Sequence, residues 1–282
     1  MADASPRRPR IPLTTTVRRT EQLTPSLVRV VLGGGDLARF EPSPHADSYV
    51  KIVFLVPGVD YPRPLDLNAV RDSLPAAAAP RLRTYTVRQF DAESQELTVD
   101  VVVHGDEGLA GPWARRAAPG DEVLLMGPGG DYTPDPDADW YLLVGDESAL
   151  PAIAVVAERL PEGIPAHLFL EVAGPEEEMP LTLPSSAQLT WLHRGSARPG
   201  TALLPAVTEL AWRTGRVHAF VHGEAGFVRR LRQLLFVERE VPRSQVSISG
   251  YWRYGDDDEG WRATKRDWNR EIEEAERLAG VA

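Results

Sequence analysis

The chain has 282 residues and no cysteine. It therefore offers no disulfide, no thiolate-bound zinc, no iron–sulfur cluster and no cysteine nucleophile. A chain without disulfides suits a reducing compartment, and we expect a cytoplasmic location. Walker A, GxSxG, HExxH and GxGxxG patterns are missing too. We therefore assign no catalytic residue and no metal ligand from the sequence.

Long apolar runs are also missing, since none approaches the roughly 18 residues of a membrane span. Residues 1–10 are rich in proline and arginine without an apolar core, so we predict a flexible tail rather than a secretory signal. The net charge of −10 argues against general nucleic-acid binding. We expect a monomer with no membrane span and a small-molecule partner.

The first half of the chain alternates apolar and polar residues with a period of two. Helix signals are weak there except at Leu109–Ala117, so the pattern predicts a small antiparallel barrel or sandwich. The Pro/Ala-rich segment Pro57–Pro80 is expected to be a long loop. The predicted strands are Thr16–Thr20, Leu27–Leu32, Ser48–Val56, Arg83–Phe90, Glu96–Val103 and Glu122–Met126.

The second half follows a Gly/Pro/Asp-rich linker, Gly127–Asp139. Strands and helices alternate after it, which predicts a parallel sheet with crossover helices. We place domains at 11–134 and 135–250 and a helical extension at 251–282. The predicted strands are Trp140–Val144, Ala166–Val172, Leu189–His193, Arg216–His222 and Gln245–Ser249. The predicted helices are Ser148–Leu160, Thr201–Trp212, Glu224–Arg239 and Glu259–Leu278.

The hexapeptide RTYTVR, which begins at Arg83, is the most informative stretch. On a strand, Arg83 and Tyr85 share one face, while Thr84, Thr86 and Arg88 share the other. An aromatic ring, a hydroxyl and a bidentate phosphate ligand within four residues suit a flavin nucleotide. An ordinary solvent-edge strand explains the hexapeptide equally well when it is read alone.

Two further loops point to anionic ligands. VVHGDEGLAGPWA, from Val102, places small residues at the start of a helix, where backbone N–H groups face outward. GDESALPAI, from Gly145, follows the first strand of the α/β half, at the edge where such sheets bind ligands. Plain turns are the alternative for either loop by itself.

The order of these motifs, with WLHRGSARPG at Trp191, HGEAGFVRRLRQLL at His222 and GYWRYG at Gly250, resembles the siderophore-interacting protein family. These are FAD-dependent ferric-siderophore reductases of the ferredoxin–NADP⁺ reductase superfamily. The resemblance runs from about Ile11 to Glu276. It implies an α/β two-domain fold, with an N-terminal antiparallel six-stranded FAD-binding β-barrel and a C-terminal NAD(P)-binding α/β domain with a parallel sheet.

The resemblance also implies which residues hold FAD and that NADH or NADPH donates electrons. Ser148 stands where many relatives have threonine and keeps the hydroxyl. The expected cofactor contacts are Arg83, Tyr85 and Thr86 for the ring and phosphates; Val103, His104, Gly105, Leu109, Ala110, Gly111 and Trp113 for the ribityl and diphosphate; Asp146, Ser148 and Ala149 for the adenine side; and Tyr251 and Trp252 from the C-terminal side.

The nicotinamide donor is expected near Gly223–Gly226. Arg194 and Arg198 are candidate readers of a 2′-phosphate, although solvated arginines explain them as well. The expected ferric-siderophore contacts are Arg253 and the chain's two lysines, Lys51 and Lys265. A retained lysine among many arginines suits a compact point charge, and a surface lysine is the alternative.

Three features argue against a strongly basic site or a metal site. Asp256–Asp258 stands where many relatives carry arginine, so the mouth of the site is expected to be less basic than in those relatives. His218 and His222 have the spacing of a helical zinc pair but lie in a strand-like segment. The acidic run Asp256–Glu259 suits a helix N-terminus better than a cation site.

The sequence therefore predicts reduction of siderophore-bound Fe(III) by NAD(P)H through FAD. The alternatives are a flavin or quinone reductase, or an electron-transfer partner, of the same fold. A ferric-siderophore-binding protein without catalytic activity is a third.

Overall fold

The computed structural model describes residues 8–103, 105 and 108–280, which fall into two compact units. The first unit takes in the described residues up to Gln22 together with Val28–Pro44 and Ser48–Gly130. The second takes in Leu23–Leu27, His45–Asp47 and the described residues from Asp131 onward. No helix in the described part of the chain is long and apolar enough to cross a membrane.

The first unit is built on one seven-stranded antiparallel sheet, in the order β4-β3-β7-β1-β2-β6-β5. The end strands β4 and β5 are separated in sequence by Val87 and Arg88 alone, so the sheet must curl until its ends meet. Between the end strands, the Val87 N–H donates to the Ser48 carbonyl just before β3, and the Arg88 N–H donates to the Thr98 carbonyl of β6 at 2.9 Å. The predicted barrel is confirmed. Its strands are β1 Leu13–Thr24, β2 Leu27–Gly33, β3 Tyr49–Phe54, β4 Arg81–Thr86, β5 Gln89–Asp91, β6 Glu96–Val102 and β7 Glu122–Gly129.

The core of this unit is a cluster of alternate apolar residues. Leu97, Val99 and Val101 of β6 are fully buried in it, and Val50 and Ile52 of β3 join them. Helix α2, Ala110–Arg116, adds Ala114 and Ala117 near its end. At about 25 cal/mol per Å² of apolar area removed from water, this burial drives folding of the unit.

Two predictions for the first unit were wrong in detail. The strand predicted over Arg83–Phe90 divides into β4 and β5, because Val87 and Arg88 leave the ladder and give seven strands instead of six. The loop predicted over Pro57–Pro80 contains helix α1, Leu67–Ser73. Asp66 caps this helix, since its Oδ1 accepts the Asn68 N–H at 2.9 Å. An aspartate at this position can indicate the start of a helix, but the prolines around it favoured the prediction of a loop.

The second unit has a five-stranded parallel sheet in the order β10-β9-β8-β11-β12, which confirms the α/β prediction. Trp140, Leu142, Val144, Val217, Ala219 and Val221 face one core cluster. The elements are β8 Trp140–Asp146, α3 Leu150–Glu158, β9 Ala166–Val172, β10 Ala187–His193, α4 Leu203–Thr208, β11 Val217–Glu224, α5 Ala225–Gln233, β12 Val246–Trp252 and α6 Asp258–Leu278.

Helix α6 belongs to this core through Trp261, Trp268 and Ile272. Its last turns are held by Glu276, which accepts two hydrogen bonds from Arg232, at 2.6 and 2.9 Å, and pairs with Arg243. Burial alone would raise the pKa of Glu276, but hydrogen bonds and charge from the two arginines outweigh burial and lower it. A buried ion pair thus anchors the helix.

Two predicted helices of this unit were too long. The helix predicted over Thr201–Trp212 covers Leu203–Thr208 alone, because the chain turns away and the Trp212 ring packs edge-on against Trp140 at 4.8 Å. The helix predicted over Glu224–Arg239 begins after Glu224, which caps α5. It widens into a π-helical turn over Leu234–Glu238.

Candidate functional site

The hexapeptide at Arg83 lies on β4 with the faces that alternation predicts. Arg83 stands opposite Ile52, and Tyr85 stands opposite Val50, so both follow the buried face of β3. Arg83 is buried, and the half-buried Tyr85 ring packs against the core of the first unit. Neither side chain is a solvent-edge residue.

Trp113 of α2 contacts β3, the strand that pairs with β4. The Phe54 ring, on the β3 face that carries Val50 and Ile52, meets the Trp113 ring edge-on at 5.8 Å. The register therefore places Tyr85 and Arg83 along one side of β3, and Trp113, in the middle of α2, contacts the end of that strand. Two motifs about 20 residues apart in sequence come together in one unit.

The hydroxyls of Ser48 and Thr86, at the end of β4, could hydrogen-bond a polar group of a ligand. Ser48 Oγ is buried and has no hydrogen-bond partner among the described residues. The Ser48 carbonyl accepts the Val87 N–H at 2.7 Å, which fixes Ser48 beside Thr86. A buried polar atom without a partner is costly, so Ser48 fits a site that a ligand completes. The first-unit residues therefore fit a flavin.

The remaining predicted residues of the first unit follow β6. Val103 is buried, and Gly105 adopts a φ of 54°, a left-handed conformation that favours glycine. The Gly105 carbonyl accepts a hydrogen bond from Arg115 at 2.8 Å. His104 lies outside the described residues. Leu109, Ala110 and Gly111 form the start of α2, where no side chain caps the helix.

Asp146, at the end of β8, is buried and fully engaged within the second unit. Its Oδ1 accepts the Ser148 N–H at 2.9 Å and the Ser148 hydroxyl at 2.5 Å. Its Oδ2 accepts the Glu224 N–H at 2.9 Å and the Trp252 indole N–H at 2.8 Å. One carboxylate thus ties together the ends of β8, β11 and β12.

Two more carboxylates are bound in the same way. Glu171, which pairs with Asp146 in the β8–β9 register, accepts the N–H groups of Gly200, Ala202 and Leu203. Glu224 caps α5 by accepting the N–H groups that begin the helix. The carboxyl edge of the sheet is therefore rich in buried acids whose partners are backbone N–H groups.

One candidate for a 2′-phosphate reader is already paired. Arg194 forms an ion pair at 2.6 Å with Glu147, and both side chains are largely buried. Burial and the Asp146 charge raise the pKa of Glu147, while Arg194 opposes them. Arg194 is thus neither a solvated arginine nor free of an internal partner, and its role as a reader of a 2′-phosphate stays a prediction.

Arg198 has a different setting, a cavity of about 690 Å³ in the second unit. Its guanidinium lies 5.3 Å from the centre of the Tyr254 ring, at cation–π distance. The predicted substrate residue Arg253 and the predicted donor segment around Gly226 line the same cavity. Helix α6 supplies the acidic residues Asp267 and Glu271. The cavity walls are therefore mixed in charge.

Lys265 reaches the hydroxyl-bearing edge strand β12. Its Nζ donates to Ser249 Oγ at 3.3 Å and lies 5.9 Å from the centre of the Trp261 ring. Burial lowers the pKa of Lys265. On the neighbouring strand, His222 is buried with Nε2 3.0 Å from Ser247 Oγ, and its ring contacts Tyr251 at 4.9 Å.

The remaining predictions concern Lys51 and metal ions. Lys51 is half-buried in the middle of β3, with its Nζ 5.7 Å from the centre of the Tyr49 ring. His218 and His222 lie on strand β11, and His218 Nδ1 accepts the Asp135 N–H. Asp257 caps α6. Within the described ranges, no cluster of histidine or acidic residues could hold a metal ion.

Two family models together match about five sixths of the chain. The siderophore-interacting FAD-binding domain matches residues 16–132, and the siderophore-interacting protein domain matches residues 138–255. The chain belongs to the siderophore-interacting protein family, as the motifs predicted.

Individual relatives cover most of the chain. An uncharacterized protein of Mycobacterium tuberculosis is 47% identical over 91% of this chain and 94% of its own. Ferric vibriobactin reductase ViuB of Vibrio cholerae is 33% identical over 86% of this chain and 90% of its own.

Solved structures agree with the fold. The siderophore-interacting protein SipS of Aeromonas hydrophila has a TM-score of 0.79 and 31% identity, and the match covers 93% of this chain and 99% of that one. A cytochrome P450 reductase, the FAD/NAD binding domain of a nitric oxide dioxygenase and a phthalate dioxygenase reductase, at 14–19% identity, share the fold alone. The ferredoxin reductase-like fold is therefore confirmed.

Sequence reasoning missed Ser48, Glu171 and the capping role of Glu224. Glu171 carried a signal, since it is the one acidic residue in the apolar strand AHLFLEV, and buried charges need dedicated partners. Ser48 carried none, because a serine before a strand is common and its isolation depends on the strands around it.

Proposed function

We propose that this protein is an FAD-dependent reductase that takes electrons from NADH or NADPH and reduces siderophore-bound Fe(III) to Fe(II). Membership of the family and the similarity to ferric vibriobactin reductase support the proposal. The observation that carries it is the arrangement around β4. A buried Arg83 and a half-buried Tyr85 share one face of that strand, and the nearby Ser48 hydroxyl has no hydrogen-bond partner in the described part of the chain.

In this proposal the first unit holds FAD. Tyr85 covers the ring system, Arg83 neutralises phosphate, and Thr86 and Ser48 supply hydroxyl hydrogen bonds. Val103, Gly105 and residues Leu109 to Trp113 hold the ribityl and diphosphate part. FAD, when bound, supplies the exchange between a two-electron donor and a one-electron acceptor. Because the chain has no cysteine, it has no second redox centre held by thiolates. In this proposal the electrons therefore pass from the flavin directly to a diffusible acceptor.

The second unit contributes residues to both reactants in this proposal. Trp252 is held by Asp146, and this hydrogen bond positions the adjacent Tyr251. Lys265 and Arg253 attract an anionic ferric chelate, and Arg198 and the Gly223–Gly226 segment serve the donor. No proton-transfer residue is assigned, since each iron gains an electron alone and the one proton left from the donor's hydride passes to solvent. Ferrous iron binds hard oxygen chelators weakly and leaves.

The test is an anaerobic assay of the purified, FAD-loaded protein with NADH or NADPH, ferric chelates and ferrozine. The proposal expects a flavin spectrum that bleaches on addition of the donor and the coloured ferrous complex that follows. Rapid turnover with quinones and none with ferric chelates would indicate a quinone reductase. Siderophore binding by a protein that takes up no FAD would indicate a binding protein instead.

A further inference from the structure

The carboxyl edge of a parallel α/β sheet is the usual place for the diphosphate of a dinucleotide. Backbone N–H groups in the loops and at helix N-termini bind it there. In this chain the same kinds of N–H group are taken by the chain's own carboxylates. Asp146 accepts those of Ser148 and Glu224, each at 2.9 Å.

The neighbouring loops repeat the arrangement. Glu171 accepts N–H groups from Gly200 at 2.6 Å, Ala202 at 2.8 Å and Leu203 at 3.0 Å, before and at the start of α4. Glu224 accepts a further set: the N–H groups of Gly226 at 2.6 Å, Phe227 at 3.2 Å and Tyr254 at 3.1 Å. Loops after β8, β10, β11 and β12 are all involved.

Burial makes these carboxylates hard to displace. Asp146, Glu171 and Glu224 are 1%, 0% and 6% exposed. A diphosphate at this edge would lose the N–H groups it needs and would lie beside negative charges in a poorly solvated setting. The cavity that Arg198 lines carries charges of both signs, since Arg198, Arg229 and Arg253 line it together with Glu224, Asp267 and Glu271.

We infer that Asp146 and Glu224, at the ends of the adjacent strands β8 and β11, determine donor specificity by occupying the diphosphate position, so that the nicotinamide end supplies most of the donor's binding. This inference rests on the proposed function, in which a reduced nicotinamide nucleotide is the donor. Reduced nicotinamide mononucleotide, which lacks the diphosphate bridge and the adenosine, then serves nearly as well as NADH.

Direct binding tests the inference without turnover. ADP-ribose, which carries the diphosphate and adenosine but no nicotinamide, is titrated into oxidised, FAD-loaded protein by calorimetry. We expect no saturation up to about 5 mM, and a Kd below about 0.1 mM overturns the inference. If neither nicotinamide donor reduces the flavin, the donor in the proposed function fails, while this titration still decides the inference.

Stopped-flow flavin reduction supplies the second readout. We expect the second-order rate constants for NADH and for the mononucleotide to agree within about fivefold, and a preference for NADH above about 100-fold overturns the inference. Glu224→Gln keeps an oxygen for Gly226 and Phe227 but removes the charge. In this variant, the rate constant for NADH divided by the rate constant for the mononucleotide should rise by about threefold or more.

The matched control is Glu238→Gln. Glu238 is exposed and lies in the π-helical turn beyond α5, at the far end of that helix from Glu224. In Glu238→Gln, the ratio of the NADH rate constant to the mononucleotide rate constant should equal that of the unaltered protein. An unchanged ratio in a folded Glu224→Gln protein contradicts the role given to Glu224.

Discussion

Lys265 donates from Nζ to Ser249 Oγ at 3.3 Å, so a lysine of the last helix is attached to the edge strand of the parallel sheet. Only one other lysine occurs in the chain. The Trp261 ring lies beneath the ammonium at 5.9 Å, and burial lowers the pKa of Lys265. The side chain is therefore held in place at some cost in solvation, which suits a binding residue better than a surface lysine.

Removal of the Lys265 charge should weaken binding of the ferric acceptor. For Lys265→Met we expect the KM for anionic ferric chelates to rise about tenfold, with kcat nearly unchanged, because the lost attraction acts on binding. Arg266→Met is the control, since Arg266 is the exposed neighbour on the same helix. Steady-state assays at several salt concentrations measure both. Equal effects of the two variants would refute a specific role for Lys265.

Tyr85 tests the flavin site. Tyr85→Leu keeps apolar contact with the core of the first unit and removes the aromatic ring. We expect the Kd for FAD to rise about 10- to 100-fold, as the loss of a stacked ring implies. Fluorescence titration of the protein freed of flavin measures the change. Thr84→Ala, at the exposed next position on the opposite face of β4, should bind FAD normally.

His222 should make stability depend on pH. Burial, with the nearby Lys265 charge, lowers the pKa of His222 to about 3, against an ordinary value of 6.5. Between those values the unfolded chain binds a proton that the folded protein refuses. The stabilisation is therefore complete above about pH 6.5 and is lost as the pH falls, by at most about 1.4 kcal/mol per pH unit.

Urea unfolding near pH 7.5 and near pH 5 measures this dependence. His222→Asn should be less stable than the unaltered protein at the higher pH, because a buried ring and its bond to Ser247 are lost. Its free energy of unfolding should fall less between the two pH values. Parallel pH profiles for both proteins would show that His222 is not the group responsible.

Glu276 tests the anchor of helix α6. Glu276→Ala leaves Arg232 and Arg243 without their shared carboxylate, and removal of one partner from a buried ion pair typically costs about 3–5 kcal/mol. Thermal unfolding should show a clear fall in Tm. Glu274→Ala is the control, since Glu274 is exposed and its pairing with Arg277 is long, at 3.9 Å. Similar Tm values for the two variants would contradict the anchoring role.

The parts of the fold that follow from local pattern were predictable. Alternation in Glu96–Val102 and Arg81–Thr86 reflects one buried face, so both the strands and the shared face of Arg83 and Tyr85 could be read from the sequence. Strand–helix alternation after residue 139 likewise specified the parallel sheet. The break after Thr86 was not predictable, because Val87 and Arg88 have ordinary strand character and leave the ladder only where the barrel closes.

Long-range contacts explain what could not be predicted in the site. The partners of Glu171 lie 29 to 32 residues further along the chain, and the Asp146–Trp252 bond spans 106 residues. Nothing local in GDESALPAI distinguishes a loop that offers its N–H groups to a ligand from one that gives them to a carboxylate. The ion pair of Arg194 was not predictable for the same reason, since its partner Glu147 is distant in sequence.

The most direct measurement of the central claim follows the flavin of the pre-reduced protein when a ferric siderophore is added without oxygen, with ferrozine to trap Fe(II). The account predicts that the visible flavin band returns and that two ferrous ions are trapped for each flavin oxidised, since the donor couple carries two electrons and each iron takes one. A flavin that stays reduced in the presence of the ferric chelate, in protein that oxygen readily reoxidises, would contradict it.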